Sequence, residues 1–260
     1  MKMPKLLLLI CVLLQGLNAL AQTPDSIEAD LIRTYRAMLN SQNSYNCNDC
    51  SKNLPGLNQV FREKLINYTT KLPFTMEYPF DSFKKERRIT IASSADKTFR
   101  VYSWDTAMGL TGITYNSLIQ YKVDGRYYTK LLEYGEDLDL SQYYDEIYTI
   151  KANGSTYCIG LFNGAMSSRF RFTGVKVFVL ENTNLNEARV IKTPDKITDE
   201  IWISFDCYSC SKSLGSPIAK FDPINKQLTL PVVDSENKLK KKKTIYSFNG
   251  QYFVRVKSKR

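Results

Sequence analysis

A period of two residues governs the hydrophobic pattern of this chain from residue 87 onward. Apolar and polar side chains alternate in short runs, and turn-forming residues separate one run from the next. Three of these separations contain an Asn or Asp followed by Gly, the pairs that favour tight hairpins: Asp124-Gly125, Asn153-Gly154 and Asn249-Gly250. The pattern predicts about a dozen short strands with no helices between them, which argues against a parallel β-α-β architecture.

The overall form of this β fold stays open at the level of sequence. We predict a mainly β fold of antiparallel meanders, arranged as a propeller-like array, a barrel or a sandwich. The segments at residues 144–148 and 198–202 resemble each other, and each begins a group of predicted strands. So short a similarity does not choose among the three forms.

Aromatic side chains are frequent in the predicted strands. Phe99 and Val101 fall on one face of a strand, whereas Tyr102 and Trp104 fall on the other, which predicts that both faces are covered. The chain contains 17 Tyr and 13 Phe in all, a content that suits half-buried pleated surfaces. Packing within the sheets is the favoured explanation for most of these rings, and an exposed platform for sugars is the alternative.

Two amphipathic helices are predicted ahead of the strands. The first follows Pro24-Asp25-Ser26, which suits a helix start, and its apolar side chains recur at helical spacing. A second apolar set, between Leu57 and Tyr68, indicates another helix that ends before Pro73. The chain is thus divided into a helical segment with its connector, residues 22–86, and an antiparallel β domain, residues 87–260.

Residues 1–21 are predicted to be a cleavable secretory signal peptide. Lys2 and Lys5 give it a positive start, residues 6–14 form an uninterrupted apolar run, and residues 19–21 (Ala-Leu-Ala) form a small-x-small cleavage site. The run is much shorter than the roughly 20 apolar residues of a transmembrane helix. We therefore expect an exported protein, periplasmic or secreted, with no membrane span.

Two Cys-x-x-Cys pairs are the main cysteine signal: Cys47 with Cys50, and Cys207 with Cys210. Structural disulfides are favoured because an exported chain enters an oxidising compartment, although the sequence does not decide between bridges within the pairs and bridges between them. A four-cysteine zinc site and a redox-active pair are the alternatives, and Cys158 stands alone. If the two pairs meet, their disulfides would clamp the helical segment to the sheet.

The chain contains no histidine. This absence excludes Ser-His-Asp and Cys-His nucleophilic systems, histidine-based metal sites and histidine general bases. Neither a Gly-x-Ser-x-Gly elbow nor a glycine-rich phosphate loop is present. We therefore predict no cofactor, and any catalysis would depend on carboxylates, Tyr, Lys, Ser or Cys.

Acidic side chains are the remaining candidates for acid–base chemistry. The largest group follows a predicted strand and comprises Glu133, Glu136, Asp137 and Asp139. Two acidic pairs begin other strands: Asp145-Glu146 and Asp199-Glu200. A glycosidase needs two carboxylates that face each other across a sugar, which linear spacing does not establish, and solvated side chains are the favoured interpretation.

Basic residues outnumber acidic ones by 36 to 26, for a formal net charge of +10. Residues 238–243 (Lys-Leu-Lys-Lys-Lys-Lys) carry part of the excess, and we predict a solvated hairpin edge there because lysines keep exposed strands from pairing. A solvated surface is the favoured interpretation of the charge as a whole. The partners that this charge would fit are an anionic envelope polysaccharide or another envelope protein, and no nucleic acid is expected.

One stretch of the β domain resembles a known group of proteins. Residues 99–106 (Phe-Arg-Val-Tyr-Ser-Trp-Asp-Thr), Gly109, Gly112 and residues 120–122 (Gln-Tyr-Lys) are similar to exported proteins of unknown function from Bacteroidetes-type bacteria. The resemblance covers residues 87–130. It implies an envelope or secreted location and supplies no activity and no catalytic residues.

These observations together lead to a functional expectation. We predict a non-enzymatic binding or structural protein of the bacterial cell envelope, because the chain has an aromatic-rich sheet and lacks nucleophile motifs and cofactor fingerprints. A carboxylate-dependent polysaccharide hydrolase is the alternative, with the acidic group at residues 133–139 as its candidate site.

Overall fold

The structure is a computed structural model that describes residues 23–42, 53–109, 113–132, 141–209 and 218–256. Several residues named in the predictions lie outside these ranges: the signal segment 1–21, Cys47, Cys50, Cys210, Glu133, Glu136, Asp137 and Asp139. The predicted fold class is confirmed, because the described chain is mainly antiparallel β with two helices in its N-terminal region.

The two helices are α1 (Pro24–Gln42) and α2 (Leu54–Lys71). The apolar positions of α1 point inward, so that Leu31 and Tyr35 are fully buried. Helix α2 ends two residues before Pro73, which begins a short 3-10 turn. No helix in the described ranges is both long enough and apolar enough to cross a membrane.

The strands form three sheets. The first sheet has the order β1-β2-β3-β4, with β1 (Ile89–Ser93), β2 (Phe99–Asp105), β3 (Tyr115–Val123) and β4 (Arg126–Leu132). The second sheet has the order β11-β7-β6-β5, with β8 also paired to β7, and comprises β5 (Gln142–Ala152), β6 (Ser155–Ala165), β7 (Phe170–Glu181), β8 (Asn184–Glu187) and β11 (Glu200–Asp206).

The third sheet has the order β10-β9-β15-β14-β13-β12. Its strands are β9 (Ile191–Lys192), β10 (Ile197–Thr198), β12 (Lys220–Asp222), β13 (Gln227–Val233), β14 (Leu239–Phe248) and β15 (Phe253–Arg255). All the pairings in the three sheets are antiparallel except that of β15 with β9.

Helices and sheets are stacked in layers, with a separate apolar core between each pair of layers. The helical pair covers the outer face of the first sheet, where Phe61 of α2 contacts Trp104. The inner face of the first sheet packs on the second sheet, and the far face of the second sheet packs on the third. Of the three forms predicted from sequence, the stacked sheets correspond to a sandwich.

Strand β2 has core on both faces, as its sequence predicts. Phe99 and Val101 belong to the core between the first and second sheets, whereas Tyr102 and Trp104 belong to the core beneath the helices. Every residue of the strand is buried. A strand with aromatic or β-branched side chains on both faces is therefore covered on both sides, as expected for the middle layer of a layered fold.

Two of the three predicted hairpins have the expected tight turn. Asp124 and Gly125 have φ values of 48° and 78°, and the Asn153-Gly154 pair is similar, which is the left-handed geometry of a type I′ turn. The third differs, because β14 ends at Phe248 and β15 begins at Phe253. This connection is four residues long, and the side chain of Asn249 accepts backbone hydrogen bonds within it.

A buried arginine joins the first sheet to the segment that follows α2. Arg100 is only 2% exposed, donates to the carbonyl oxygen of Thr75 at 2.9 Å, and lies over the rings of Phe80 and Tyr102. Its Nε atom is buried without a hydrogen-bond partner. Burial lowers the pKa of Arg100, and the neighbouring hydroxyl of Tyr102 offsets this effect only in part.

We expect Arg100→Met to raise the free energy of unfolding by about 1 kcal/mol, because an apolar side chain of similar length keeps the packing and removes a buried charge. Arg100→Ala should instead lower it by about 2 kcal/mol through the cavity it leaves. Urea denaturation of both variants checks the prediction. Equal destabilisation by Met and Ala would show that the charge itself holds the two segments together.

Candidate functional site

A cleft of about 460 Å³ opens at one edge of the second sheet, where β11 lies beside the β9–β10 hairpin. The side chains that line it include Lys176, Lys196, Thr198, Asp199, Glu200 and Trp202. We call it the Trp202 cleft. The first sheet lies mainly against β5, at the opposite edge of the second sheet, and β11 is partly open.

Trp202 is the aromatic side chain of this cleft and is 37% exposed. It belongs to β11, where Glu200, Trp202 and Ser204 alternate with Ile201 and Ile203. The isoleucines therefore face one side of the strand and Trp202 faces the other. Because the second tryptophan of the chain is buried, Trp202 is the one that can meet a ligand.

The indole of Trp202 is held in place by a row of rings that runs back into the core. Its centroid lies 5.9 Å from that of Phe172, which lies 6.2 Å from Phe162, which in turn lies 5.9 Å from Tyr144. Each contact is edge-to-face, the favourable arrangement for aromatic pairs. The row fixes the exposed ring on a rigid sheet.

A glycine makes room for the row. Gly174 lies between Phe162 and Trp202 in the paired strands. A Cβ atom at Gly174 would come within 2.5 Å of the Phe162 ring and 2.6 Å of the Trp202 Cβ. The missing side chain therefore determines where the indole of Trp202 can lie.

Lys176 lies at the centre of the charges in the cleft. Its ammonium nitrogen is 2.8 Å from a carboxylate oxygen of Glu187, 3.5 Å from one of Asp199 and 3.6 Å from one of Glu200. Burial alone would lower the pKa of Lys176, but the three carboxylates together raise it above its ordinary value. The lysine is therefore charged across the physiological range and holds the three acidic side chains together.

The cleft can form hydrogen bonds of both kinds. Asp199 and Glu200 supply acceptors, the exposed Lys196 supplies donors, and Thr198 supplies a hydroxyl group. Three carboxylates and two ammonium groups give the region a charge close to balance. An exposed ring beside paired charges suits a ligand that has one apolar face and a polar edge.

The acidic pairs predicted from sequence lie at opposite edges of the second sheet. Asp199-Glu200 borders the Trp202 cleft, whereas Asp145-Glu146 belongs to β5, at the other edge. The register of β5 shifts between Tyr144 and Glu146, so that Asp145 sits in a bulge, where Asn163 donates to both of its carboxylate oxygens. Partial burial, and then the charge of Glu146, raise the pKa of Asp145 to about 6. The two pairs do not face each other across one ligand.

The cysteines in the described ranges are both free thiols. Cys158 is buried between the first and second sheets, and burial raises the pKa of its thiol well above the ordinary value. Cys207 lies in the short turn after β11. Because Cys47, Cys50 and Cys210 lie outside the described residues, the disulfide pairing stays a prediction.

Sequence reasoning did not single out Trp202 as a site residue. A signal was present, since Trp202 occupies the polar phase of its strand, between Glu200 and Ser204. A large aromatic on the phase that faces solvent is the kind of residue that binds ligands. Most of its neighbours in the cleft come from the adjoining residues 193–201, and Lys176 is the one that the linear pattern does not connect to it.

No protein-family model matches this chain, and no curated protein or solved structure is significantly similar to it. The ring, paired charges and hydroxyl group of the cleft restrict the chemistry that it could bind.

Proposed function

We propose that this chain is an exported, non-enzymatic binding protein of the bacterial cell envelope, and that its ligand is an uncharged saccharide in the Trp202 cleft. The observation that carries the proposal is an exposed indole fixed at the side of a polar cleft. Structural disulfides at the Cys-x-x-Cys pairs are part of the same proposal.

A sugar ring fits both parts of the cleft. The C–H face of a pyranose can lie against the indole of Trp202, an apolar surface with a preorganised position. The hydroxyl groups at the edge of the sugar can then donate to Asp199 and Glu200 and accept from Lys196. Hydrogen bonds to charged groups supply orientation and specificity for such a ligand.

The charges of the cleft favour an uncharged sugar over an acidic one. Glu187, Asp199 and Glu200 would repel a carboxylated or sulfated ring, and Lys176 is already engaged with all three. The anionic polysaccharide predicted from the net charge is therefore not proposed as the occupant of this cleft.

The ion pairs also support binding over hydrolysis. A glycosidase needs a carboxylic acid that can donate a proton and a second carboxylate placed across the scissile bond. Asp199 and Glu200 are adjacent in the chain and contact the same ammonium group, that of Lys176. Such a pair is arranged to hold hydroxyl groups and not to divide the roles of acid and nucleophile.

Export is supported by sequence features. Residues 1–21 have the three zones of a secretory signal in the correct order, and residues 87–130 resemble exported proteins. Amino-terminal sequencing of the protein recovered from the cell envelope or medium tests this part. We expect the recovered chain to begin at Gln22, and recovery of uncleaved protein in the cytoplasm only would contradict it.

Trp202→Ala should weaken the binding of a neutral oligosaccharide by about 10- to 100-fold, the usual cost of removing a central aromatic contact. Titration of wild-type protein and variant with a panel of neutral oligosaccharides measures this loss. Tyr208→Ala is the matched control, because Tyr208 is an aromatic residue that is 77% exposed and does not line the cleft.

Two outcomes would contradict the proposal. Binding that is equally strong in the Trp202→Ala protein would place the ligand elsewhere. Release of shorter sugars during the incubation would favour the alternative, a carboxylate-dependent polysaccharide hydrolase.

A further inference from the structure

The first half of β14 carries an unusual run of charge. Lys240, Lys241, Lys242 and Lys243 are consecutive strand residues, and all four are exposed. We call these four residues the lysine edge. The second half of the strand, by contrast, packs into the third sheet through the buried Tyr246.

Within the described residues, the backbone along this run has no neighbouring strand on one side. Strand β13 pairs with β14 along its length, but β15 pairs only with residues 246–248. Lysines at such an open edge prevent it from pairing with another chain, as the run of lysines in the sequence predicts. One or two lysines would be enough for that purpose, and four consecutive ones call for a further explanation.

A bulge spreads the four ammonium groups around the strand. Lys243 lies opposite Pro231 and Lys240 lies opposite Val232, so that Lys241 and Lys242 have no cross-strand partner. The side chains in the bulge therefore do not follow the simple alternation of a regular strand. The result is a band of charge on both faces of the open edge.

Little of this charge is neutralised within the described part of the chain. Glu236 pairs with Lys238 at 2.6 Å, and Asp234 accepts backbone hydrogen bonds from its own turn while it interacts electrostatically with Lys240. None of the four ammonium groups of the lysine edge forms an ion pair there. Consecutive strand residues are about 3.3 Å apart, well inside a Debye length of about 10 Å, so the four charges repel one another and act as one.

We propose that the lysine edge binds a linear acidic polysaccharide that lies along β14, as a second site separate from the Trp202 cleft. An extended row of charges matches an extended polymer whose anionic groups recur along its length. Lysine ammonium groups act as point charges and bind anionic groups that recur along a flexible polymer without requiring a strict geometry. The run has no aromatic residue on which a nucleic-acid base could stack.

The proposal is tested with polygalacturonate as the probe, at 50 and 200 mM salt. We expect the wild-type protein to bind, to bind more weakly at the higher salt, and to lose about 10-fold or more in affinity when all four lysines are changed to Gln. The matched control removes four exposed positive charges elsewhere: Lys84→Gln, Lys85→Gln, Arg126→Gln and Lys151→Gln. The control should retain most of the affinity.

Three results would overturn the proposal. The first is that the wild-type protein does not bind polygalacturonate. The second is an equal loss of affinity in the control variant, which would indicate that net charge alone causes binding. The third is tighter binding of single-stranded DNA or of anionic lipid vesicles than of polygalacturonate. Thermal unfolding should show the four-Gln variant to be at least as stable as wild type, because charge repulsion is relieved. Trp202→Ala should leave polygalacturonate binding unchanged, so that failure of this proposal and failure of the saccharide proposal are distinguishable.

Discussion

Replacing Gly174 with alanine is expected to lower the free energy of unfolding by about 3 kcal/mol and to deform the Trp202 cleft. The added Cβ would lie 2.5 Å from the Phe162 ring and 2.6 Å from both the Ile201 carbonyl oxygen and the Trp202 Cβ. The carbonyl oxygen belongs to the backbone of the paired strand and cannot rotate away. Strand β11 would have to shift from β7, and urea denaturation measures the cost.

Gly56→Ala is the matched control for this substitution. Gly56 lies in α2, where a Cβ would meet only the side chain of Asn53, at 3.0 Å. Alanine is the better helix former, so we expect a gain of about 0.5–1 kcal/mol. A Gly174→Ala protein as stable as the Gly56→Ala protein would show that β11 moves freely and that the row of rings does not fix Trp202.

The second large effect is expected at the other tryptophan. Trp104→Ala should lower the free energy of unfolding by about 4 kcal/mol, the cost of emptying a large buried site. Trp104 is 1% exposed, its Nε1 atom donates to Asn58 Oδ1 at 3.1 Å, and its ring packs against Phe61 at 5.4 Å. The substitution also leaves the buried amide of Asn58 without this partner. The two helices should then become sensitive to protease before the sheets do.

The two tryptophans make a matched pair, since the same substitution should have opposite consequences at the two positions. Trp202→Ala should lower the free energy of unfolding by only about 1–2 kcal/mol, the cost of a half-buried ring contact, and should weaken saccharide binding by about 10- to 100-fold. Trp104→Ala, in conditions where it still folds, should retain binding. A large loss of stability in the Trp202→Ala protein would mean that its ring serves packing and not a ligand.

Much of the secondary structure follows from the sequence because its cause is local. Helical spacing defines α1 and α2, alternation defines most strands, and Asp124-Gly125 and Asn153-Gly154 form the turns that such pairs favour. The two covered faces of β2 were also predictable, since aromatics on both faces of a strand need cover on both sides.

The strand boundaries are predicted wrongly from the sequence where polar residues form a strand. The mostly apolar run after β7 lies at residues 188–191 (Ala-Arg-Val-Ile), and the residues before it read as a polar turn, but the structure has a hairpin turn at Asn182 and a strand, β8, at Asn184–Glu187. Only Leu185 of β8 is buried. An edge strand with one buried side chain has too little alternation to be recognised.

The candidate site was less predictable than the fold. The sequence points to the acidic group at residues 133–139, which lies outside the described residues, whereas the cleft brings together Trp202, Lys176 and the β9–β10 hairpin. Lys176 and Asp199 are 23 positions apart and belong to elements that meet only through sheet pairing. The contact between these two side chains depends on the tertiary structure, which a pattern of residues along the chain does not specify.

The position of β11 has a consequence for the order in which the protein folds. Strands β5 to β8 are neighbours along the chain and can assemble by short hairpins, but β11 pairs with β7 only after the chain has passed through β9 and β10, which belong to a different sheet. A pairing of this kind closes a long loop and is expected to form slowly. The Trp202 cleft would then be the last part of the second sheet to form, so that a partly folded chain would have most of its core before it had the proposed binding surface.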